Sequence, residues 1–224
     1  MENLDSFFKK FDGSYCMFIA IILALGTVIT ATLFYIQVDP TFTITTHYIS
    51  HLGATPIGAQ GGQLYISAVV FSIGMTILVI FRILALLFLV RYFQIRGSSR
   101  SLTKTGLILG IIPTIGSLIV AVIPFTISIL IHELGALLLF LGTVISGTIF
   151  IIIELKTPQI PKYLPLTFLI NVIGYFIFAT LLIGEFMEIT PEGSSVIWEW
   201  IIFATSLFWL FVHGVYTYKN PVFT

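Results

Sequence analysis

Charge is scarce in this sequence: Asp, Glu, Lys and Arg make up 9% of the 224 residues, and ten basic side chains cancel ten acidic ones. With no basic surplus there is no electrostatic footprint for a nucleic acid, and DNA and RNA are set aside as partners. Cysteine is almost missing. Cys16 stands alone, which excludes an intramolecular disulfide and a redox pair. A glycine-rich phosphate cradle, a serine elbow and a retinal-type lysine in the last apolar run are also lacking, so an NTP-driven pump and a rhodopsin-like pigment are poor readings. What the chain has instead is apolar: 58% hydrophobic residues, 21 Phe and a mean hydropathy of +1.09. No soluble core of this length hides that much apolar surface, and a bilayer is the solvent that fits it.

A helix needs roughly 20 predominantly apolar residues to cross about 30 Å of hydrocarbon. Six stretches meet that requirement, at about 15–37, 64–90, 105–123, 129–153, 163–183 and 196–218. The expected fold is therefore all-α, a polytopic bundle of six transmembrane helices forming a single domain over 1–224, with a structured non-cytoplasmic cap after the first helix. Lys9 and Lys10 before the first run resemble the start of a signal peptide, but the run is too long for one and no small-x-small cleavage site follows, so it is read as a retained span.

The connections separate by charge. Lys9 and Lys10, then Arg91, Arg96, Arg100 and Lys104, then Lys156 and Lys162, then Lys219 fall in alternate connections, all on one side of the spans, and the intervening loops have no Lys or Arg. This positive-inside pattern puts both termini in the cytoplasm. The basic loop 91–104 suits anionic lipid headgroups. Asp39, His47, His51, His132, Glu133, Glu185, Glu188, Glu192 and Glu199 then gather at the opposite face, with only His213 near the cytoplasmic end. The connection 39–63 contains TFTITTHYISHLG and then GATPIGAQGG, which predicts a short interfacial helix or cap followed by a flexible turn.

Within the spans, Gly106 and Gly110 form a G-x-x-x-G spacing that allows close helix approach, Pro113 is a candidate kink, and Asn171 is expected to hydrogen-bond between helices. Arg82 is an intramembrane charge. Its plain reading is snorkelling or pairing with a polar group; its functional reading is a lipid-phosphate contact in the cytoplasmic half.

The non-cytoplasmic cluster carries the chemistry. If its segment is helical, His47 and His51 at i and i+4 share a face beside Ser50, while His132 and Glu133 open the fourth span and Glu199 opens the sixth. His47, His51 and His132 could hold a zinc ion that polarises a lipid ester and generates hydroxide. The competing reading is that these groups cap helices and bond loop backbone, and no H-E-x-x-H signature is present. Glu185, Glu188 and Glu192 read as a solvated acidic loop, since their spacing does not match a 12-residue calcium loop. Trp198 and Trp200 fit an interfacial aromatic belt.

Three stretches resemble the six-span family that joins the damage-regulated autophagy modulators (DRAM), the Frag-type GPI-lipid-remodelling factors and the yeast Sfk-type proteins, with a related prokaryotic family of unknown function. They are HYISHLGATP at 47–56, IPFTISILIHELGALLLF at 123–140 with His132, Gly135, Ala136 and Phe140, and the Glu199–Trp200 pair. An acidic residue often follows the Ser in DRAM-like members, where this chain has His51. The resemblance implies a lipid-associated membrane protein and carries over no catalytic set. The combined expectation is recognition or remodelling of membrane lipid through a pocket at His47, Ser50, His51, Gly53, His132, Glu133 and Glu199. The alternative is a metal-dependent lipid hydrolase or acyltransferase, with a transporter or scaffold a distant third.

Overall fold

The computed structural model describes residues 2–54 and 63–223. In hydrocarbon an unpartnered backbone N–H or C=O is costly, so an apolar stretch crosses as a helix that closes its own hydrogen bonds. Among the described residues there is accordingly no strand. The elements are α1 (Glu2–Lys10), α2 (Ser14–Tyr35), a 3₁₀ helix (Ile49–Gly53), α3 (Gln63–Ile95), α4 (Arg100–Val122), α5 (Ile129–Lys156), α6 (Tyr163–Phe186) and α7 (Val196–Lys219). The long apolar helices α2 to α7 make this a multi-pass integral membrane protein with six spans. The glycine-rich turn expected at 55–62 lies outside the described residues.

Each long helix packs on the next, and α7 packs back on α2, closing a ring. Large apolar side chains such as Ile22, Ile80, Ile108 and Phe176 face outward, whereas Thr103, Ser117, Ser146, Asn171 and Thr217 are buried. That polarity suits a bundle in lipid, where small and polar side chains rather than the hydrophobic effect hold helices together. The closest backbone-to-backbone approach joins α4 to α5 at Gly116, where a methyl group would stand 2.6 Å from the Gly135 carbonyl oxygen and closer still to the Leu139 nitrogen. The G-x-x-x-G pair is used differently from a backbone crossing. Gly106 receives the Ile153 side chain of α5 and Gly110 receives Leu86 of α3, so its two glycines serve two neighbours. α4 runs unbroken through Pro113, which packs against Gly142. Asn171 spans α6 to α7, its Nδ2 donating to the Ser206 and Thr205 hydroxyls at 2.9 and 3.2 Å.

Up-and-down connectivity leaves one end of the ring with α1, residues 220–223 and, Arg82 apart, every Lys and Arg. The other end carries the 3₁₀ helix. At the basic end α3 stops at Gly97, whose φ of +93° lets the Ser98 N–H reach back to the Phe93 carbonyl, and Ser99 then caps α4. Helix α1 has no counterpart in the sequence expectation. It is too short to span, but it buries Phe8 against Phe88 and Phe223, and both carboxylate oxygens of Asp5 accept from Arg91. That hydrogen bonding to Arg91 holds the Asp5 carboxyl below its ordinary pKa.

Candidate functional site

The cap is built from residues 39–54. Asp39 accepts from the Thr41 backbone and hydroxyl, and this bonding keeps its carboxyl below the ordinary range. The His47 ring bridges Asp39 Oδ2 through Nε2 at 3.1 Å and the Thr46 hydroxyl through Nδ1 at 2.8 Å. The next residues are fastened to α7 and the α6–α7 turn. The Trp200 indole N–H donates to the His47 carbonyl at 2.9 Å, and the Tyr48 hydroxyl contacts Glu185 Oε2 at 3.0 Å and Ser195 Oγ at 2.7 Å. Burial pushes the Tyr48 phenol well above its usual pKa. Glu199 accepts the N–H of Ile49 at 2.6 Å and that of Ser50, satisfying the opening donors of the 3₁₀ helix. On the other flank the Ser67 hydroxyl lies 2.8 Å from the Leu52 carbonyl, Leu52 is fully buried, and a methyl group on Gly53 would stand 2.6 Å from Phe71.

Placement of the expected site residues corrects several readings. His47 and His51 do not share the face of an α-helix, because His47 precedes the 3₁₀ turn; their rings meet edge to face with centroids 5.7 Å apart. The His47, His51 and His132 metal set is not assembled. Both ring nitrogens of His47 are engaged, His132 Nδ1 donates to the Ile123 carbonyl at 2.8 Å, and the Phe125 ring stands against both His51 and His132. Among the described residues no group of three His, Cys, Asp or Glu side chains is placed to share an ion. His51 packs among His47, Tyr48 and Phe125, and burial first, then His47 and His132, lowers its pKa to about 4. Glu133 is exposed, apart from the cap contacts. Glu185 is not part of a solvated acidic loop: it accepts from Tyr48, Ser194 and the Ser195 N–H, while Glu188 and Glu192 do face out.

Beneath the cap lies a cavity of about 200 Å³, reached by all six long helices and roofed by Ile49, Ser50 and Glu199. Its lining is mostly apolar, with Phe71, Leu78, Phe140 and Leu207 among the walls. A polar belt interrupts it, formed by Arg82, Ser117, Thr143, Ser146, Asn171 and Tyr175. Arg82 Nη1 donates to Ser117 Oγ at 3.2 Å, and no carboxylate pairs with it among the described residues. Arg82 itself stands in the half of α3 nearer the basic loops, thirteen residues before Ile95, and its side chain reaches back to Ser117. Ser117 stands five residues before the cap end of α4, about 8 Å by helical rise. Helical side chains lean toward the N-terminus, and α3 begins at the cap end, so the guanidinium is carried that way.

Comparison with family models, curated proteins and solved structures gives no match for this chain. The geometry therefore carries the reading alone. It contains one pair that the sequence expectation missed. Glu154 and His213, each 1% exposed, meet near the basic end with His213 Nε2 2.9 Å from Glu154 Oε1. His213 Nδ1 donates to the Trp209 carbonyl, so both ring nitrogens of His213 are engaged within the bundle. The missed signal was depth: both residues sit a short distance from the same end of their spans, but the fourth span was expected to stop at 153.

Proposed function

We propose that this chain recognises membrane lipid, taking part of one lipid molecule into the cavity beneath the cap. The cap stands on the non-cytoplasmic side, and residues 2–10 and 220–223 lie on the cytoplasmic side. The observation that carries the reading is the cavity itself: apolar walls, a polar belt and a roof held by Glu199 match a guest that is apolar along its length and polar at one point. A volume of about 200 Å³ takes a headgroup fragment or part of one chain and not two acyl chains. The sorting of Lys and Arg to the end opposite the cap supports the orientation. The metal-dependent hydrolase or acyltransferase reading lacks such support, because among the described residues no three His, Cys, Asp or Glu side chains are placed to share an ion.

We also read the chain as a relative of the DRAM, Frag and Sfk group. What supports this is the meeting of the three resembling stretches at one end, Ile49 on Glu199 and His51 on Phe125 beside His132. The test of the lipid reading is mass spectrometry of lipids released from protein purified in a neutral detergent. It is applied to the native chain and to a Thr143→Leu, Ser146→Leu variant that fills the belt. A bound amphiphile near one per protein, lost from a variant that still unfolds cooperatively, is the expected result. Equal retention by the filled variant, or no amphiphile in the native protein, overturns it.

A further inference from the structure

The proposed cavity leaves one group unexplained. Arg82 stands inside the span α3, yet among the described residues its one hydrogen-bond partner is the neutral Ser117 hydroxyl. Among the described residues the only carboxylate in the cavity wall, Glu199, is taken by the backbone of Ile49 and Ser50. The other ion pairs among the described residues, His47–Asp39, Arg91–Asp5 and His213–Glu154, are closed without Arg82. A partly buried guanidinium lining a cavity offers a planar fork of donors, which matches the two oxygens of a carboxylate or phosphate. The Tyr175 hydroxyl, 3.2 Å from Ser206 Oγ, lines the same space.

We propose that Arg82 is the receptor for an anionic group, so that the guest of the cavity is an amphiphile with a single carboxylate or phosphate head and one apolar chain. The head sits in the belt against Arg82 and Ser117, and the chain lies along Leu78, Phe140 and Leu207. The guest's charge completes an ion pair that the protein supplies only by half. This role also accounts for the retention of a charge that an apolar residue of the same length would replace at lower desolvation cost.

Because the inference rests on the cavity's taking an amphiphile, the experiment separates the two. Binding of dodecanoate, dodecyl phosphate and uncharged dodecanol is measured by titration calorimetry on the full chain in a neutral maltoside detergent, for the native protein, Arg82→Met and Arg82→Lys. The native protein is expected to bind both anions at least tenfold tighter than the alcohol. Arg82→Met is expected to bind all three alike while its unfolding temperature stays level or rises, and Arg82→Lys to keep part of the preference. Equal binding of acid and alcohol by the native protein overturns the anion receptor and leaves the lipid reading standing. Binding of none of the three by folded protein overturns both. If Arg82→Met does not fold, the native acid-to-alcohol ratio still decides. Displacement of dodecanoate by phosphatidylglycerol but not phosphatidylcholine in nanodiscs assigns the anion to a bilayer headgroup, and absence of displacement assigns it to a free single-chain acid.

Discussion

Removal of the Glu199 carboxylate tests how the cap is held. In Glu199→Ala the N–H groups of Ile49 and Ser50 lose their acceptor. They have no intrahelical substitute, because the first donors of any helix lack one. A buried donor left unpaired costs about 1–3 kcal/mol. Ile49 is 6% exposed and takes the full penalty, whereas Ser50 borders the cavity and recovers part of it from water. The sum is about 2–4 kcal/mol, borne by the cap and not by the spans. Glu199→Gln keeps a carbonyl oxygen and should lose about half. Hydrogen exchange of residues 49–54 in nanodiscs reads this directly, since at about 1.4 kcal/mol per decade the Ala variant should exchange roughly 30- to 700-fold faster. The exposed Glu133→Ala is the control and should change nothing. Unaltered exchange of the cap amides in folded Glu199→Ala would refute the reasoning and show that Leu52, Gly53 and Ser67 hold the cap alone.

Three further outcomes follow from the packing and the charges. His213→Leu or Glu154→Leu alone should destabilise the fold by about 3–5 kcal/mol, because each leaves a buried partner uncompensated, whereas the double Leu variant should recover most of that; a double-mutant cycle by denaturant titration in micelles checks it. Gly116→Ala should cost about 1–3 kcal/mol by forcing α4 from the α5 backbone, read as a lowered unfolding temperature, while Gly26→Ala, with open space at its Cβ, should not. His51 is neutral in the fold down to about pH 4, whereas the unfolded chain takes up a proton near its ordinary pKa of 6.5. Its contribution is therefore complete above pH 6.5 and lost as the pH falls toward 4, by at most about 1.4 kcal/mol per pH unit. Native protein should show that slope in unfolding free energy against pH, and His51→Phe should flatten it.

The spans were legible because a bilayer imposes length and composition directly on each helix, and Asn171 was legible because an amide in hydrocarbon has to find a partner. The cap was legible as a location but not as a geometry. Whether His47 and His51 share a face depends on α or 3₁₀ winding over a few residues, and that is decided by anchors far away in the chain, Glu199, Trp200 and Ser67. The Glu154–His213 pair and the Glu185 clamp were hidden for the same reason. Each needs the rotation of two helices about their axes, and a uniformly apolar run leaves that rotation unmarked. Helix α1 escaped notice because its nine residues are too short for a span, and its stability comes from docking Phe8 and Asp5 onto α3.

Gly74 is where α3 presses on α2, so closely that any side chain there would collide with Thr27. This contact divides α3 into two arms. Ser67 and its grip on the cap lie about 10 Å along one arm, and Arg82 lies about 12 Å along the other, at 1.5 Å per residue. The seat of the roof and the side chain that receives the guest are therefore carried by one continuous helix, and the Gly74 contact sets the height of both against α2.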